Sequence, residues 1–230
     1  MSEVQAVLLD LGGVFYLPDH DRMVGALARL EVDMARDRLD EAHYRGVAAL
    51  RDEPSDNPWH AYNRAYARQC GVDDAALDFA LAVLLEEFGR GDVWTRVIPG
   101  SRAALRELAD LGVALAVVSN ADGTVEAQLL ADEICQVGPG PGVPVATVLD
   151  SAVVGISKPD PVIFDLALEA VGVDAAHAVF VGDTPTVDVR GARAAGVAPI
   201  LVDPYDLHDD VDCPRVRSLA EVPALLRTWP

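Results

Sequence analysis

The chain has 230 residues, with 18 basic against 37 acidic side chains and a formal charge of −19 at pH 7. That charge repels nucleic acid and anionic membrane surfaces at long range, so neither is an expected partner. A chain of this length suits one domain with a large insertion or a pair of domains, and it can remove roughly 70 to 75% of its unfolded surface from water without a disulfide or structural metal.

The first strong element is an apolar run, Ala6-Val7-Leu8-Leu9, ending in Asp10 and then Leu11-Gly12-Gly13-Val14. It predicts a buried strand over Val4 to Leu9 that delivers one carboxylate, the candidate nucleophile, to a glycine-rich turn. From Leu17 to Ile98 no strand-like run is bounded by turns, and the pattern reads as helices over Asp21 to Leu30, Arg36 to Ala49, Pro58 to Cys70 and Ala75 to Phe88. Asn57 is expected to cap the third, with Pro58 at its first helical position. Residues 17–98 are therefore expected to form an inserted helical cap over the sheet edge that carries Asp10, leaving 1–16 and 99–230 as the core domain. Trp59, Tyr62 and Tyr66 share one helical face, which reads as packing. His43, Arg45, His60 and Arg64 read as ordinary helix surface.

Beyond Pro99, apolar runs alternate with helical patterns: helix Ser101 to Leu111, strand Val113 to Val118, helix Thr124 to Ala131 and strand Val145 to Leu149. Helix Pro161 to Val171, strand Ala178 to Val181, helix Val187 to Ala195, strand Pro199 to Val202 and helix Leu219 to Arg227 complete the series. Such alternation predicts an α/β fold, a Rossmann-like parallel sheet covered by helices on both faces. Ligands bind outside the carboxyl ends of such strands, so Asp10, Ser119 and Asp183, each ending a strand, are expected to converge. Lys158, the only lysine in the chain, sits in Ser157-Lys158-Pro159-Asp160-Pro161. The Gly138 to Pro144 stretch reads as a restricted connection without chemistry. Asp203 to Cys213 reads as a solvated acidic loop, because His208, Asp209, Asp210 and Asp212 lack metal-ligand spacing. Cys70, Cys135 and Cys213 are far apart and unpaired in pattern, pointing to reduced thiols in the cytoplasm. No membrane-length apolar run and no basic start at Met1-Ser2-Glu3-Val4 lead to the same expectation.

Four motifs stand in order: Asp10 before Gly13-Val14; Val117-Val118-Ser119-Asn120; Lys158-Pro159-Asp160-Pro161; and Val181-Gly182-Asp183 with Asp188 five residues on, then Gly191-Ala192-Arg193-Ala194-Ala195-Gly196. Together they resemble the haloacid dehalogenase-like hydrolase superfamily over nearly the whole chain. The resemblance implies that Asp10 attacks phosphorus and carries an aspartyl-phosphate that water hydrolyses. It implies that Lys158 holds nucleophile and phosphate together, that the Ser119 hydroxyl donates to a phosphate oxygen, and that Asn120 joins them at the substrate. Magnesium is implied at Asp10, the Gly12 main-chain carbonyl, Asp183 and Asp188, with Asp188 either a direct ligand or a charge standing behind the site. Three crowded carboxylates need a counterion, and a hard divalent cation satisfies them. The helical insertion resembles the cap that accompanies small soluble substrates.

One position departs from the pattern. The family's phosphatases carry a second aspartate two residues after the first, and Gly12 stands there. The missing proton transfer is worth roughly 10²- to 10⁴-fold, or about 3 to 5 kcal/mol of barrier. Three consequences compete: a substrate whose leaving group needs little protonation, a proton from Tyr16, Asp19 or His20, or binding without turnover. The expected function is a magnesium-dependent phosphatase for a small phosphorylated metabolite. The alternatives are a phosphate-ligand binding protein without turnover and a haloacid dehalogenase, which Gly12 suits but the intact Gly182-Asp183 opposes. A cap-lysine phosphonate cleavage is excluded because Lys158 belongs to the sheet domain, and a phosphosugar mutase would need the absent acid.

Overall fold

The computed structural model describes residues 4–30, 32, 36–50 and 58–229. In chain order its strands are β1 (Ala6–Leu9), β2 (Tyr16–Leu17), β3 (Arg96–Val97), β4 (Ala114–Ser119), β5 (Cys135–Val137), β6 (Val143–Val145), β7 (Thr147–Asp150), β8 (Ala178–Gly182), β9 (Ala198–Val202) and β10 (Arg215–Val216). The helices are α1 (His20–Ala28), α2 (Asp37–Ala49), α3 (Pro58–Gln69), α4 (Leu77–Phe88), α5 (Ser101–Asp110), α6 (Val125–Ala131), α7 (Ser151–Val154), α8 (Pro161–Val171), α9 (Arg190–Ala194) and α10 (Val222–Arg227). Two compact units result: Met1–Phe15 with Ile98–Pro204 and Val211–Pro230, and Tyr16–Val97 with Tyr205–Asp210.

The first unit is built on a six-stranded sheet in the order β10-β9-β8-β1-β4-β7, with every adjacent pair parallel. Counting only these six strands along the chain, the order reverses between the first and the fourth, which is the Rossmann-like arrangement whose switch point hosts ligands. Here that point lies between β1 and β8. Asp10 N–H donates to Val181 O at 2.9 Å and carries the pairing one residue past Leu9.

Why these residues make central strands follows from burial on both faces. Leu8, Ala116, Val118 and Phe180 pack with Ile163, Phe164 and Ala167 of α8. Val7, Leu9, Val117 and Val181, pointing the other way, are also fully buried. A sheet covered on both sides reads as continuous apolar runs and not as alternation. The helices obey local rules as well: Asp160 accepts from Val162 N–H, Pro161 occupies the first turn of α8, and Gly172 closes it in the left-handed region, each a preferred terminus.

The second unit has a helical core of Met23, Leu27, Leu39, Ala42, Tyr62, Tyr66 and Leu84. Tyr62 and Tyr66 present their rings to the edge of Phe88 at 5.5 and 5.8 Å, so this part of the α3 stripe is packing, whereas Trp59 is 48% exposed. His43 corrects the surface reading: it is 2% exposed, and its Nδ1 lies 3.0 Å from the Tyr62 hydroxyl. The proposed cap residue Asn57 lies outside the described residues. Of the three nearby proton candidates, Tyr16 is buried, Asp19 accepts from Arg22 N–H at 2.9 Å as the cap of α1, and His20 Nε2 lies 2.8 Å from Asp40 Oδ1.

Several elements differ from the expectation. The 17–98 stretch shows no strand pattern in the sequence, yet β2 and β3 pair antiparallel, Leu17 against Arg96. Strands of two residues carry too little pattern to stand out. β5 and β6 flank the Gly138 to Gly142 turn, whose backbone is gathered by the Gln136 carboxamide: Oε1 accepts from Gly142 N–H, and Nε2 donates to the Gly138 and Gly142 carbonyls. The segment after β9 is only partly a solvated loop. Asp209, Asp210 and Asp212 are exposed, but Asp203 and His208 are buried, and Tyr205 lies 5.7 Å from the ring of Tyr44 within the helical unit. No disulfide forms among the described residues, and burial pushes the Cys135 thiol up to about 12.

Leu8→Ala tests the weight of the central strand. The side chain is fully buried, so denaturant unfolding is expected to show a loss of about 2 to 5 kcal/mol; a loss under about 1 kcal/mol would place the stabilising core elsewhere.

Candidate active site

β1 and β8 lie side by side in register, Leu9 opposite Val181, so the residues that follow them emerge together at the carboxyl edge. Asp10 follows β1 and Asp183 follows β8. The chain then makes a single wide turn, Pro185–Val189, before α9 begins, where a regular helix from Val187 was expected. Wide π-type turns inside helices re-aim side chains. This one carries Asp188 back toward the edge, and carboxylate oxygens of Asp10, Asp183 and Asp188 lie within 4.8 Å of one another.

Lys158 reaches the same point from the loop before α8. Its Nζ is 2.6 Å from Asp10 Oδ1 and 2.8 Å from Asp188 Oδ1, and 5.1 Å from the centroid of the Phe180 ring beneath it. Its side chain is 2% exposed, so both ion pairs sit out of water, where charge interactions are strongest. Asp188 is held on its other oxygen, Oδ2, by the Asp183 and Thr184 N–H groups at 3.1 and 2.9 Å. The Thr184 hydroxyl donates to Asp183 Oδ1 at 2.8 Å.

Two glycines make this crowding possible. A Cβ on Gly13, whose φ is +65°, would stand 2.0 Å from Asp183 Oδ2. A Cβ on Gly182 would stand 2.5 Å from Asp188 Oδ2. Both positions are legible in the sequence as glycine beside a strand-end acid, but their role as clearance for a carboxylate is visible only in the fold.

The electrostatics are unbalanced. Burial pushes the Asp10 carboxyl up to about 8, with the charges of Asp188 and Asp183 adding to the rise and Lys158 opposing it. Burial likewise raises Asp188 against the pull of Lys158. For Lys158 burial works toward the neutral amine, yet Asp10 and Asp188 together outweigh it and the ammonium is favoured. Three carboxylates against one ammonium leave two negative charges uncompensated if all ionise.

The remaining expected residues lie at the same edge with different engagements. Ser119 ends β4 and is buried, opposite Asp150 of β7. Asn120 brackets the backbone of Lys158, donating to its carbonyl and accepting from its N–H, both at 2.8 Å. Gly12 sits half-buried in the turn after Asp10. The positions that sequence reasoning passed over are Phe180, below the ammonium, and Asp150, which accepts from Gly123 N–H at 2.8 Å and steadies the loop after Ser119.

Known proteins resemble this chain in sequence and in fold. A phosphoserine phosphatase of Thermus thermophilus is 40% identical over 143 residues, which span 60% of this chain and 55% of that protein's length. A phosphoglycolate phosphatase of Rhodospirillum rubrum is 34% identical over 211 residues, 87% of this chain and 80% of the relative. The crystal structure of a 2-haloacid dehalogenase from Pseudomonas syringae pv. tomato DC3000 superposes with a TM-score of 0.57 at 26% identity, covering 99% of this chain and 100% of that one. The family model of haloacid dehalogenase-like hydrolases matches residues 4–196, a span that includes Asp10, Ser119, Lys158, Asp183 and Asp188. This chain belongs to the haloacid dehalogenase-like hydrolase family.

Proposed function

We propose that the chain is a magnesium-dependent phosphatase in which Asp10 attacks the phosphorus of a small phosphorylated metabolite. The observation that carries this reading is the placement of Asp10 against a buried ammonium and two further buried carboxylates at the switch point of the sheet. Relatives named for phosphoserine and phosphoglycolate support a small phosphorylated metabolite as the substrate.

The residues present fit a hard divalent cation. Three carboxylates offer oxygens within 4.8 Å of one another, more negative charge than the one ammonium of Lys158 can balance if all ionise. Asp188 Oδ1 is buried and receives no aligned hydrogen bond, although the Lys158 ammonium lies 2.8 Å away. The two observations agree, because ion-pair attraction depends on distance more than on donor angle. All-oxygen donors suit magnesium, which also keeps waters and a substrate phosphate in its shell. Asp10, Asp183, Asp188 and the Gly12 carbonyl would hold it, and its chemistry there would be charge neutralisation at the phosphoryl oxygens.

The chain's own residues account for the rest of the reaction. The Asp10 oxygen forms a bond to phosphorus as the bond to the leaving oxygen breaks, giving an aspartyl-phosphate that water then cleaves. Lys158 keeps a positive charge beside that oxygen throughout, and Ser119 is positioned for a hydrogen bond to the phosphoryl group. What Gly12 cannot do is move a proton to the leaving oxygen. That gap favours substrates with good leaving groups, such as acyl phosphates and sugar 1-phosphates.

A second reading has support of its own. The solved dehalogenase is a relative at 26% identity, and a halide departs without a proton, which suits Gly12. Carbon–halogen displacement leaves two carboxylate charges at this edge without a purpose, so the phosphatase is favoured.

Purified protein with magnesium is expected to release phosphate from acyl phosphates or sugar phosphates, and to lose activity in EDTA or as Asp10→Asn. Halide release from 2-haloacids without phosphate release would establish the dehalogenase instead. Gly12→Asp is expected to raise turnover of poor leaving groups by roughly 10-fold or more, beyond its effect on good ones; an equal effect on both would mean that the proton has another source. A pH series tests the unbalanced charge. In EDTA, burial and the neighbouring carboxylates are expected to keep a proton on Asp10 of the folded chain at pH values where the unfolded chain, titrating near 3.8, has already lost it. The native state thus binds more protons across that window, and this carboxyl's contribution to stability falls as pH rises through it. Asp10→Asn should therefore gain on the wild type progressively with pH in EDTA, read by denaturant unfolding, and magnesium should stabilise the wild type more than the variant. A pH-independent difference would contradict the buried, proton-holding carboxyl.

A further inference from the structure

Asn120 stands next to Ser119 at the end of β4, where a carboxamide is naturally counted among the groups that meet substrate. Its side chain is committed to protein. Nδ2 donates to the Lys158 carbonyl and Oδ1 accepts from the Lys158 N–H, each at 2.8 Å. A single carboxamide thus satisfies both backbone polar groups of one residue 38 positions away, as a neighbouring strand would.

Lys158 needs such a partner. It lies in the turn between α7 and α8, with no ladder to fix its backbone, and its long side chain must bring Nζ within reach of Asp10 and Asp188 at once. A flexible four-carbon stem aims well only from a fixed base. The loop that follows Asn120 is held from behind. The Ser151 hydroxyl oxygen accepts from Ala121 N–H at 3.1 Å, and the buried Asp150 carboxylate accepts from Gly123 N–H at 2.8 Å. The restraint runs from the end of β7 and the start of α7 through the loop after β4 to the lysine.

We infer that Asn120 is a positioning residue for Lys158, and that its contribution to catalysis passes through the ammonium and not through contact with substrate. This rests on the reading of Lys158 as the charge partner of a nucleophilic Asp10. A displacement of about 1 Å at a reacting group costs on the order of 10²-fold in rate, so the anchor bears directly on turnover.

The single lysine makes the test selective. Protein labelled with [15N]lysine yields one backbone amide signal and one ammonium signal, both from Lys158. In metal-free Asn120→Ala, the amide proton is expected to exchange with solvent faster and the ammonium signal to move toward that of free lysine. With magnesium and a substrate on which the wild type is active, kcat should fall roughly 10- to 100-fold while KM changes by less than about threefold. Asn120→Ser, too short to reach both backbone groups, gives the same readout if the alanine variant does not fold. Lysine signals that stay in place in the folded variant would overturn the inference. A large rise in KM with kcat intact would overturn it too, and would make Asn120 a substrate contact. If the wild type releases no phosphate from any compound, the phosphatase reading falls, while the lysine signals still decide whether Asn120 holds Lys158.

Discussion

The structure turns on one buried ammonium wedged between two carboxylates. Lys158 joins Asp10 to Asp188 at 2.6 and 2.8 Å, out of water, where a lone charge of either sign would be costly. Everything close to it answers that constraint. The Asp183 and Thr184 N–H groups hold the far oxygen of Asp188, Phe180 lies under the cation, and glycines at 13 and 182 leave the space that side chains would fill. The surrounding field is strongly negative, with a formal charge of −19 over the chain. The phosphorylated substrate proposed above would depend on local positive charge, and Lys158 is a buried cation at this edge.

The parallel sheet makes such a site from distant parts of the chain. Each strand enters from the same side and leaves at the same edge, so residues far apart in the sequence arrive together once β1 lies between β4 and β8. The order of strands reverses beside β1, which leaves room between the loops that diverge from β1 and β8. Rigid strands then supply the precision and loops supply the chemistry. The tie from Asp150 and Ser151 through the loop after β4 to the lysine turn links these loops to one another as well as to the strands.

Gly12 separates two tasks that phosphoryl transfer usually combines. In the proposed phosphatase, Asp10, Lys158 and the carboxylates of Asp183 and Asp188 would serve the charge that develops on phosphorus. Proton delivery to the leaving oxygen is a different task, and the turn after Asp10 has no group for it. An enzyme with the first and without the second discriminates among substrates by leaving group, which is selectivity obtained by omission and not by added contacts.

Much of this was legible in the residues because the relevant signals are local. Continuous apolar runs ending in Asp10, Ser119 and Asp183 mark doubly covered strands, and Asp160-Pro161 with Gly172 marks both ends of α8. Short-range stereochemistry and burial determine such features without reference to the rest of the molecule. The weak points were equally physical: two-residue strands carry no period, the wide turn at Pro185–Val189 looks like helix in sequence, and His43 becomes a core residue only because Tyr62 and its neighbours close over it. The sequence by itself determined the α/β class and placed acids at the ends of its buried strands. Only the tertiary structure decided that Asp188 turns back to share Lys158 with Asp10, that Gly13 and Gly182 are spacers for carboxylates, and that Asn120 faces a lysine backbone. Those relations depend on distances between residues far apart along the chain, and such distances exist only after the sheet has formed.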